Sequence, residues 1–344
     1  MTIKRWFLYA GKILGALLLL ICSSALILYI YYWGDYAVLA TTVDDPDLPS
    51  IQIDGVRLHA ESHGPANAPL VIALHGGPGN DYRALLDLKQ LSDRYRVVFY
   101  DQRGSGLSQR LPVEKLTVAS LVEELRLVAS HYAPGQPVYL VGHSWGAMLA
   151  TAFIGEHPEL VRGAVLIEPG FLNAEFGREF MRRTNGMMPP INSETLGLFL
   201  RSIFQSMHVS GPDDDAAMDY VFMQVMLHPS RDNPIAGYFC GGDPANAVLP
   251  GWRFGSTISN AMMQAAVKDG EFQIDLTRGL QHYKRPVLFL AGDCNTIIGP
   301  DIQKRQAQLF PKASLRVIEG AGHSLLGEKP QVVLPIIRRY LAEH

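Results

Sequence analysis

Six short runs of almost entirely apolar residues constrain the fold of this chain more than any other feature. Apolar runs of four or five residues without polar alternation fit strands that are buried on both faces of a parallel sheet. Helical patterns separate several of them, and alternating strands and helices predict an α/β fold with a mostly parallel, doubly wound sheet. The runs are Leu70–Leu74, Val97–Tyr100, Val138–Val141, Ala164–Ile167, Val287–Ala291 and Leu315–Ile318.

The flanking patterns complete this core and interrupt it once. Ile51–His63 alternates around Asp54-Gly55, which predicts a hairpin. Residues 51–171 and 285–344 form the predicted core, and residues 172–284 break the alternation as a predicted helical cap inserted after the sixth strand. The core helices are predicted at Val118–Tyr132, Met148–Glu156 and Val332–Leu341, and the cap helices at Phe176–Thr184, Thr195–Val209, Asp215–Leu227 and Ser256–Asp269.

The cap region holds 9 of the 11 methionines of the chain. Methionine is flexible and polarizable, so such a cap can line an adaptable apolar pocket. The alternative is that these side chains only fill gaps between loosely packed helices. The sequence leaves both interpretations open.

An uncharged stretch of 21 residues, from Ile13 to Trp33, precedes the core. As a helix it is about 31 Å long, close to the hydrocarbon thickness of a bilayer. Lysine and arginine precede the stretch and aspartates follow it, which predicts a single-pass anchor with a cytoplasmic N-terminus and an exported catalytic domain. Residues 1–34 are therefore the predicted membrane anchor and residues 35–50 a linker. A cleaved signal peptide is the alternative, but its apolar region is normally shorter.

Composition excludes several classes of partner. The formal net charge is −3, which gives no electrostatic footprint for nucleic acid. The three cysteines form no paired C-x-x-C units and the chain has no H-E-x-x-H motif, so we expect neither a metal nor an organic cofactor. Cys240 and Cys294 form a disulfide or stay free, and their spacing does not decide between the two.

The segment Gly142-His143-Ser144-Trp145-Gly146 matches the pattern G-x-S-x-G. It follows a predicted strand and precedes a predicted helix, which is the setting of a nucleophile elbow. The glycines allow a tight turn in which backbones approach closely and the serine hydroxyl stays exposed. We therefore predict Ser144 as a nucleophile; an ordinary glycine-rich turn is the alternative.

Two further segments supply complementary chemistry. His75-Gly-Gly-Pro-Gly79 follows the first buried strand, and its Gly77 amide, together with the Trp145 amide, is predicted to stabilise an oxyanion. His323 lies in a glycine-rich loop after the last strand, where it is predicted to act as general base. His143 is the rival base, but its place inside the elbow directs it away from Ser144.

These segments, with the loop Asp101-Gln-Arg-Gly-Ser-Gly106, resemble the proline iminopeptidase (prolyl aminopeptidase) group of α/β-hydrolases. The resemblance covers about residues 50–344 and is strongest from 69 to 150. It implies a helical cap over a serine nucleophile and the release of N-terminal residues from peptides. It carries over to Ser144, His323, Gly77 and Trp145, with His75 as a supporting residue of its loop.

The acid that orients the base departs from the pattern of this group. In most of its members an aspartate follows strand seven in a G-x-x-D pattern, but this chain has Asn295 there. An amide cannot carry the negative charge that stabilises an imidazolium. Glu168, after the sixth strand, is therefore the predicted acid and Asn295 its hydrogen-bonding support. Asp293 is the alternative acid.

The cap departs from the pattern as well. An aminopeptidase must pair the substrate ammonium with buried carboxylates, and the cap lacks the Trp-Glu pattern usual in the group. The sequence predicts a serine hydrolase that acts by acyl transfer on a peptide or another small molecule. The alternatives are an apolar ester hydrolase at a membrane and a non-catalytic binding protein on the same scaffold. Acidic side chains of the cap that are available for this role include Glu175, Glu179, Glu194, Asp219 and Asp243.

Overall fold

The chain begins with a long helix, α1 (Ile3–Tyr31). The computed structural model describes residues 3–187, 189–226, 228, 230–243 and 251–344. Within α1, Tyr9–Tyr31 has a mean hydropathy of 2.6, and none of its most apolar window is buried inside the protein. Length and composition make it the one described helix that could cross a membrane, and a signal sequence would pass the same test.

The core is built around a sheet of eight strands. They are β1 (Ser50–Ile53), β2 (Val56–His63), β3 (Leu70–Leu74), β4 (Arg96–Tyr100), β5 (Val138–His143), β6 (Val161–Ile167), β9 (Val287–Gly292) and β10 (Ala313–Ile318). Their order in the sheet is β1-β2-β4-β3-β5-β6-β9-β10. The first two strands form the predicted hairpin, and β2 joins β4 in antiparallel register. All other neighbours are parallel.

Alternate side chains of each central strand enter two separate apolar clusters. In β3, Ile72 packs into one cluster and Val71 into the other, and both are fully buried. This alternation follows from the two-residue period of a strand. Helices cover both faces, as in a doubly wound sheet. The core helices are α2 (Val118–Tyr132), α3 (Trp145–Glu156), α8 (Pro300–Ala307), α9 (Leu325–Glu328) and α10 (Pro330–Glu343).

The strand β10 differs from the prediction in its burial. Its apolar run predicts a strand covered on both faces, but within β10 only Ile318 is buried and Val317 is 49% exposed. The strand is exposed because β10 is the last strand in the sheet order and has a neighbouring strand on one side alone. An apolar run therefore located the strand but not its place at the edge.

The cap lies between β6 and β9 in the chain, as predicted. The sequence prediction extended the last cap helix to Asp269, but that helix ends at Ala266. Asp269 and Gly270 both have positive φ, and Asp-Gly favours the tight turn of a two-residue hairpin. The cap elements are α4 (Ala174–Arg183), α5 (Ser193–Ser206), α6 (Ala216–Met226), α7 (Ser256–Ala266) and the hairpin β7 (Val267–Lys268) and β8 (Glu271–Phe272).

A buried ion cluster fastens the cap to the core. Asp219 of α6 is fully buried and accepts hydrogen bonds from Arg110 of the core at 2.9 Å and from Arg253 at 2.8 Å. Arg253 also pairs with Asp213 at 2.6 Å. Removing one partner of a buried pair leaves an uncompensated charge, which destabilises a fold strongly. The cluster therefore fixes one end of α6 against the core.

Candidate active site

The turn between β5 and α3 holds Ser144 in a strained conformation. Its φ of 53° and ψ of −116° are rare for a residue with a side chain, and such strain persists where the surroundings enforce it. Its backbone N–H donates to the Ile167 carbonyl at 2.8 Å. A Cβ on Gly146 would lie 2.0 Å from the Leu74 carbonyl oxygen, so the turn requires glycine there. The segment thus has the geometry of the predicted elbow.

The loop after β3 is held by a hydrogen-bonded network around His75. The buried imidazole accepts from the Gln102 backbone N–H at Nε2 (3.0 Å), and its Nδ1 donates to the Gly76 carbonyl (2.8 Å). A neutral ring with the proton on Nδ1 satisfies both bonds, and burial lowers the pKa of His75 in agreement with that state. The Gln102 side chain also accepts from the Trp145 indole at 2.9 Å. His75 and Gln102 therefore connect the loop that carries Gly77 to the elbow.

His323 and Glu168 meet at the carboxyl edge of the sheet, where Glu168 follows β6 and His323 follows β10, with β9 between these two strands. The imidazole Nδ1 lies 2.7 Å from Glu168 Oε2. The same carboxylate oxygen accepts from the Asn295 side chain at 2.7 Å, and Oε1 accepts from the Gly292 backbone N–H at 2.8 Å. The contacts at both oxygens suit the ionised carboxylate, which leaves Nδ1 of His323 as a donor.

The alternative acid occupies a different place. Asp293 Oδ1 accepts a hydrogen bond from the Gly320 backbone N–H at 2.8 Å, and the described structure records no contact from Asp293 to the imidazole. Asn295 is buried, and its Oδ1 accepts from the Ile297 and Ile298 backbone N–H groups. That arrangement fixes the amide so that its nitrogen faces Glu168.

Burial shifts the pKa values of the imidazole and the carboxyl in opposite directions. Loss of hydration lowers the pKa of His323. It raises the pKa of Glu168, and the hydrogen bonds from Gly292 and Asn295 oppose that rise. Loss of hydration also lowers the pKa of the rival His143, whose Nε2 donates to the His323 carbonyl at 2.9 Å. A neutral His323 at neutral pH is the state that can accept a proton at Nε2.

A cavity of about 410 Å³ brings together residues that are far apart in the chain. Ser144 and His323 both line it, and so do Gly77 and Trp145. Trp145 is the first residue of α3, and the first backbone N–H groups of a helix have no partner within the helix. The arrangement places a serine hydroxyl, a neutral imidazole backed by a carboxylate, and amide donors around one space. Such a site can perform nucleophilic acyl transfer.

The remainder of the cavity lining is mostly apolar, with Asn80, Ser259 and Asn260 among its polar members. Five of the nine cap methionines line it, and no aspartate or glutamate does so in the part of the chain that the structure describes. Phenylalanines from both the core and the cap complete this wall. The interpretation as a pocket lining therefore holds for most of the cap methionines. It does not hold for Met207 and Met218, which are exposed at the surface. The five are Met181, Met187, Met223, Met262 and Met263.

The acidic side chains considered for an ammonium site are engaged elsewhere. Asp219 belongs to the cap–core ion cluster, Glu179 pairs with Arg182 and Arg183, and Glu175 with Arg305. The other two also have basic partners: Glu194 lies 3.1 Å from His228, and Asp243 lies 3.5 Å from Arg231.

Sequence reasoning missed one residue that touches the imidazole. The ring of Tyr238, in the cap, stacks on His323 with centroids 4.2 Å apart and planes inclined by 15°. The Tyr238 carbonyl also accepts from the His323 backbone N–H at 2.8 Å. Two residues later, Cys240 is bonded to Cys294, next to Asn295, so one disulfide joins this cap segment to the loop that supports the acid. No periodicity or motif marks Tyr238 in the sequence.

The fold and the site together define a serine-elbow hydrolase architecture. The α/β-hydrolase fold family matches residues 69–330, and the chain belongs to it. A protein named Proline iminopeptidase PfmaB, from Pestalotiopsis fici, is 27% identical over 303 residues, covering 85% of this chain and 98% of that protein. The resemblance inferred from the motifs is thus confirmed, and the chain is a hydrolase; the binding-protein alternative has no support.

Two solved structures share the fold. A proline iminopeptidase-related protein from Thermus thermophilus has a TM-score of 0.59 at 24% identity and covers 85% of this chain and 96% of its own. A membrane phospholipase A has a TM-score of 0.56 at 18% identity, and the match covers 99% of both chains. The second match therefore includes the N-terminal helix.

Proposed function

We propose that the chain hydrolyses carboxylic esters with apolar acyl groups through an acyl-enzyme. Ser144 Oγ attacks the ester carbonyl while His323 Nε2 takes its proton, and the amides of Gly77 and Trp145 stabilise the oxyanion. The alcohol leaves with the proton from His323. Water then attacks the acyl-enzyme and gives a proton to His323. The acid is released as Ser144 Oγ leaves and takes that proton back from His323, which restores the free enzyme. Glu168 orients the imidazole and stabilises its cation.

The choice of an apolar ester as the substrate rests on the apolar wall of the cavity. Methionine and phenylalanine side chains surround the space beside Ser144, and an acyl chain gains free energy when it leaves water for such a wall. An α-ammonium group would lose its hydration there without gaining a carboxylate partner. The lining therefore favours an apolar acyl group over a peptide N-terminus.

The aminopeptidase prediction remains the second candidate. It is favoured by the proline iminopeptidase relative, which matches nearly the whole core and cap at 27% identity. It requires that the substrate ammonium find its partner outside the described lining or be bound as the neutral amine.

The N-terminal helix supports action at a membrane. Tyr9–Tyr31 is long enough to span the apolar layer, and we propose that it anchors the enzyme with the N-terminus in the cytoplasm and the catalytic domain exported. The match to a membrane phospholipase A along 99% of both chains supports this proposal, since it extends over the helix. Esters in or near the bilayer would then be the accessible substrates.

A comparison of leaving groups and acyl lengths tests the proposal. The full chain in detergent micelles is assayed with 4-nitrophenyl esters of increasing acyl length and with proline 4-nitroanilide. We expect kcat/KM to rise from acetate to longer acyl chains and the anilide to be a poor substrate. Ser144→Ala is the control, and it should abolish labelling by a fluorophosphonate. Rapid anilide cleavage with slow ester cleavage would favour the aminopeptidase.

A further inference from the structure

One face of cap helix α5 is apolar and exposed. Leu196, Phe199, Leu200 and Met207 follow one another at intervals of three, one and seven residues, which places them on one side of a helix. Their exposed fractions are 52%, 49%, 39% and 57%. Ile203, on the same side, is partly exposed. We refer to these five residues as the α5 face.

The opposite side of α5 is the side that packs against the rest of the cap. Leu198 and Ser202 are buried there, and the cap packs against that side. Isolated exposed apolar residues are common on soluble proteins, but a contiguous row of five along one helix marks an interaction surface. The packing of the cap therefore does not account for the apolar side chains of the α5 face.

The end of α1 meets the C-terminal end of this face. His208, the residue after Met207, donates from Nε2 to the Tyr29 carbonyl at 2.9 Å, and its ring centroid lies 4.2 Å from that of Tyr29 and 5.0 Å from that of Trp33, with the rings tilted. Ser210 further bonds to Asp35 at 2.9 Å. Tyrosine and tryptophan at the end of an apolar helix sit at the boundary between lipid headgroups and acyl chains. That boundary therefore passes beside His208.

We propose that the α5 face lies in the lipid interface beside α1, so that the cap itself contacts the bilayer. Helix α5 has 14 residues and is about 21 Å long, so the whole face lies within that distance of the membrane boundary at His208. A helix with one apolar side and one packed or polar side binds in the interface plane. This inference rests on the proposed anchor and deepens it, because it brings the cap that covers the Ser144 cavity to the surface that holds its substrates.

A depth measurement on the full chain tests the placement directly. Cys22, the free cysteine of α1, is replaced by Ser, and Leu200→Cys is labelled with an environment-sensitive fluorophore in phosphatidylcholine vesicles. We expect a blue shift and quenching by lipids that carry a nitroxide near the headgroup. Val332→Cys is the matched control, since Val332 is similarly exposed (43%) but lies on core helix α10, and its label should remain unquenched.

A paired substitution tests the consequence for catalysis. In Phe199→Gln/Leu200→Gln we expect hydrolysis of a long-chain ester embedded in vesicles to fall about tenfold. Each of these side chains is less than half exposed, so burying the exposed parts of both is worth about as much as burying one whole apolar side chain. Hydrolysis of soluble 4-nitrophenyl acetate should be unchanged, which also shows that the variant folds. Val332→Gln should alter neither rate.

The outcomes separate this inference from the proposed function. An unquenched label at position 200 in an enzyme that hydrolyses soluble esters would overturn the α5 face as a lipid surface and leave the ester hydrolase standing. Dimers linked by a disulfide between the cysteines introduced in Leu200→Cys, with no quenching, would assign the face to a second copy and also overturn it. A quenched label in a protein without esterase activity would retain the face and remove the proposed function.

Discussion

The two walls of the Ser144 cavity differ in what they contribute. The core wall carries the serine, the imidazole and the backbone amides of the proposed mechanism, and the carboxylate behind the imidazole, Glu168, is fixed by hydrogen bonds from Gly292 and Asn295 at the neighbouring strand end. The cap wall consists mainly of methionine and phenylalanine side chains. The comparison teaches that sheet register sets the chemistry of this enzyme, whereas the cap sets the shape and polarity of what can be bound.

The segment around Tyr238 does not fit this division. It belongs to the cap, yet it is bonded to the His323 loop and, through Cys240, to the loop of Asn295. Substitutions in both walls test whether chemistry and binding are divided in this way. A substitution of Tyr238 tests whether its segment acts on kcat or on KM.

The largest expected effect belongs to the core wall. Glu168→Gln removes the charge that stabilises the imidazolium, so we expect kcat to fall by about 10⁴ with little change in KM. Asp293→Asn is the matched control, since it also neutralises a carboxylate beside β9, and it should lose less than about threefold because, within the described residues, its side chain bonds to the Gly320 amide and not to the imidazole. Steady-state kinetics with a 4-nitrophenyl ester measure both. The reverse ranking would reassign the acid.

The pH dependence provides the second test of the core wall. The proposed acyl transfer requires neutral His323, so kcat/KM should fall about tenfold per pH unit below the pKa of this group. Burial lowers that pKa, and the acid limb should therefore lie below the ordinary histidine value of about 6.5. A pH–rate profile between pH 4 and 8 shows whether the acid limb lies below 6.5. A midpoint above 6.5 would mean that the charge of Glu168 outweighs the loss of hydration.

Much of the core wall could be predicted from the sequence, because its residues follow rules of local structure. Ser144 lies in a glycine turn between a strand and a helix, and the Gly-x-x-Asn sequence ending at Asn295 directed attention to Glu168 at the neighbouring strand end. The carboxyl ends of parallel strands meet at one edge of a sheet, so the residues that follow β6, β9 and β10 lie close together. The exposed edge position of β10 could not be predicted, since it depends on the order of strands and not on their composition.

The cap wall was predictable only in outline. Helical periodicity located α4 to α7, and methionine content pointed to an adaptable lining, but neither indicates which side chains face the cavity. Tyr238 lies in a segment of short turns between α6 and α7, with no regular period to read. Its contact with His323 arises from long-range packing and a disulfide across 54 residues, which local sequence rules do not contain.

Tyr238 provides a third test, at the boundary between the two walls. Tyr238→Leu removes the ring stacked on His323, so we expect the imidazole to lose orientation and kcat to fall about tenfold while KM stays nearly constant. Tyr238→Phe retains the ring and should restore most of kcat. If Tyr238→Leu raises KM alone, the segment belongs functionally with the apolar wall.

The smallest effect is expected within the cap wall itself and should be confined to substrate preference. Met223 of α6 lines the cavity, and Met223→Trp reduces the space for an acyl chain, so kcat/KM for a twelve-carbon ester should fall about tenfold while that for acetate hardly changes. Met218→Trp is the matched control, because Met218 lies on the same helix but is 56% exposed and outside the lining. An equal loss for both esters would show that the cap also holds the reacting groups in place. Chemistry and binding would then not be divided between the two walls.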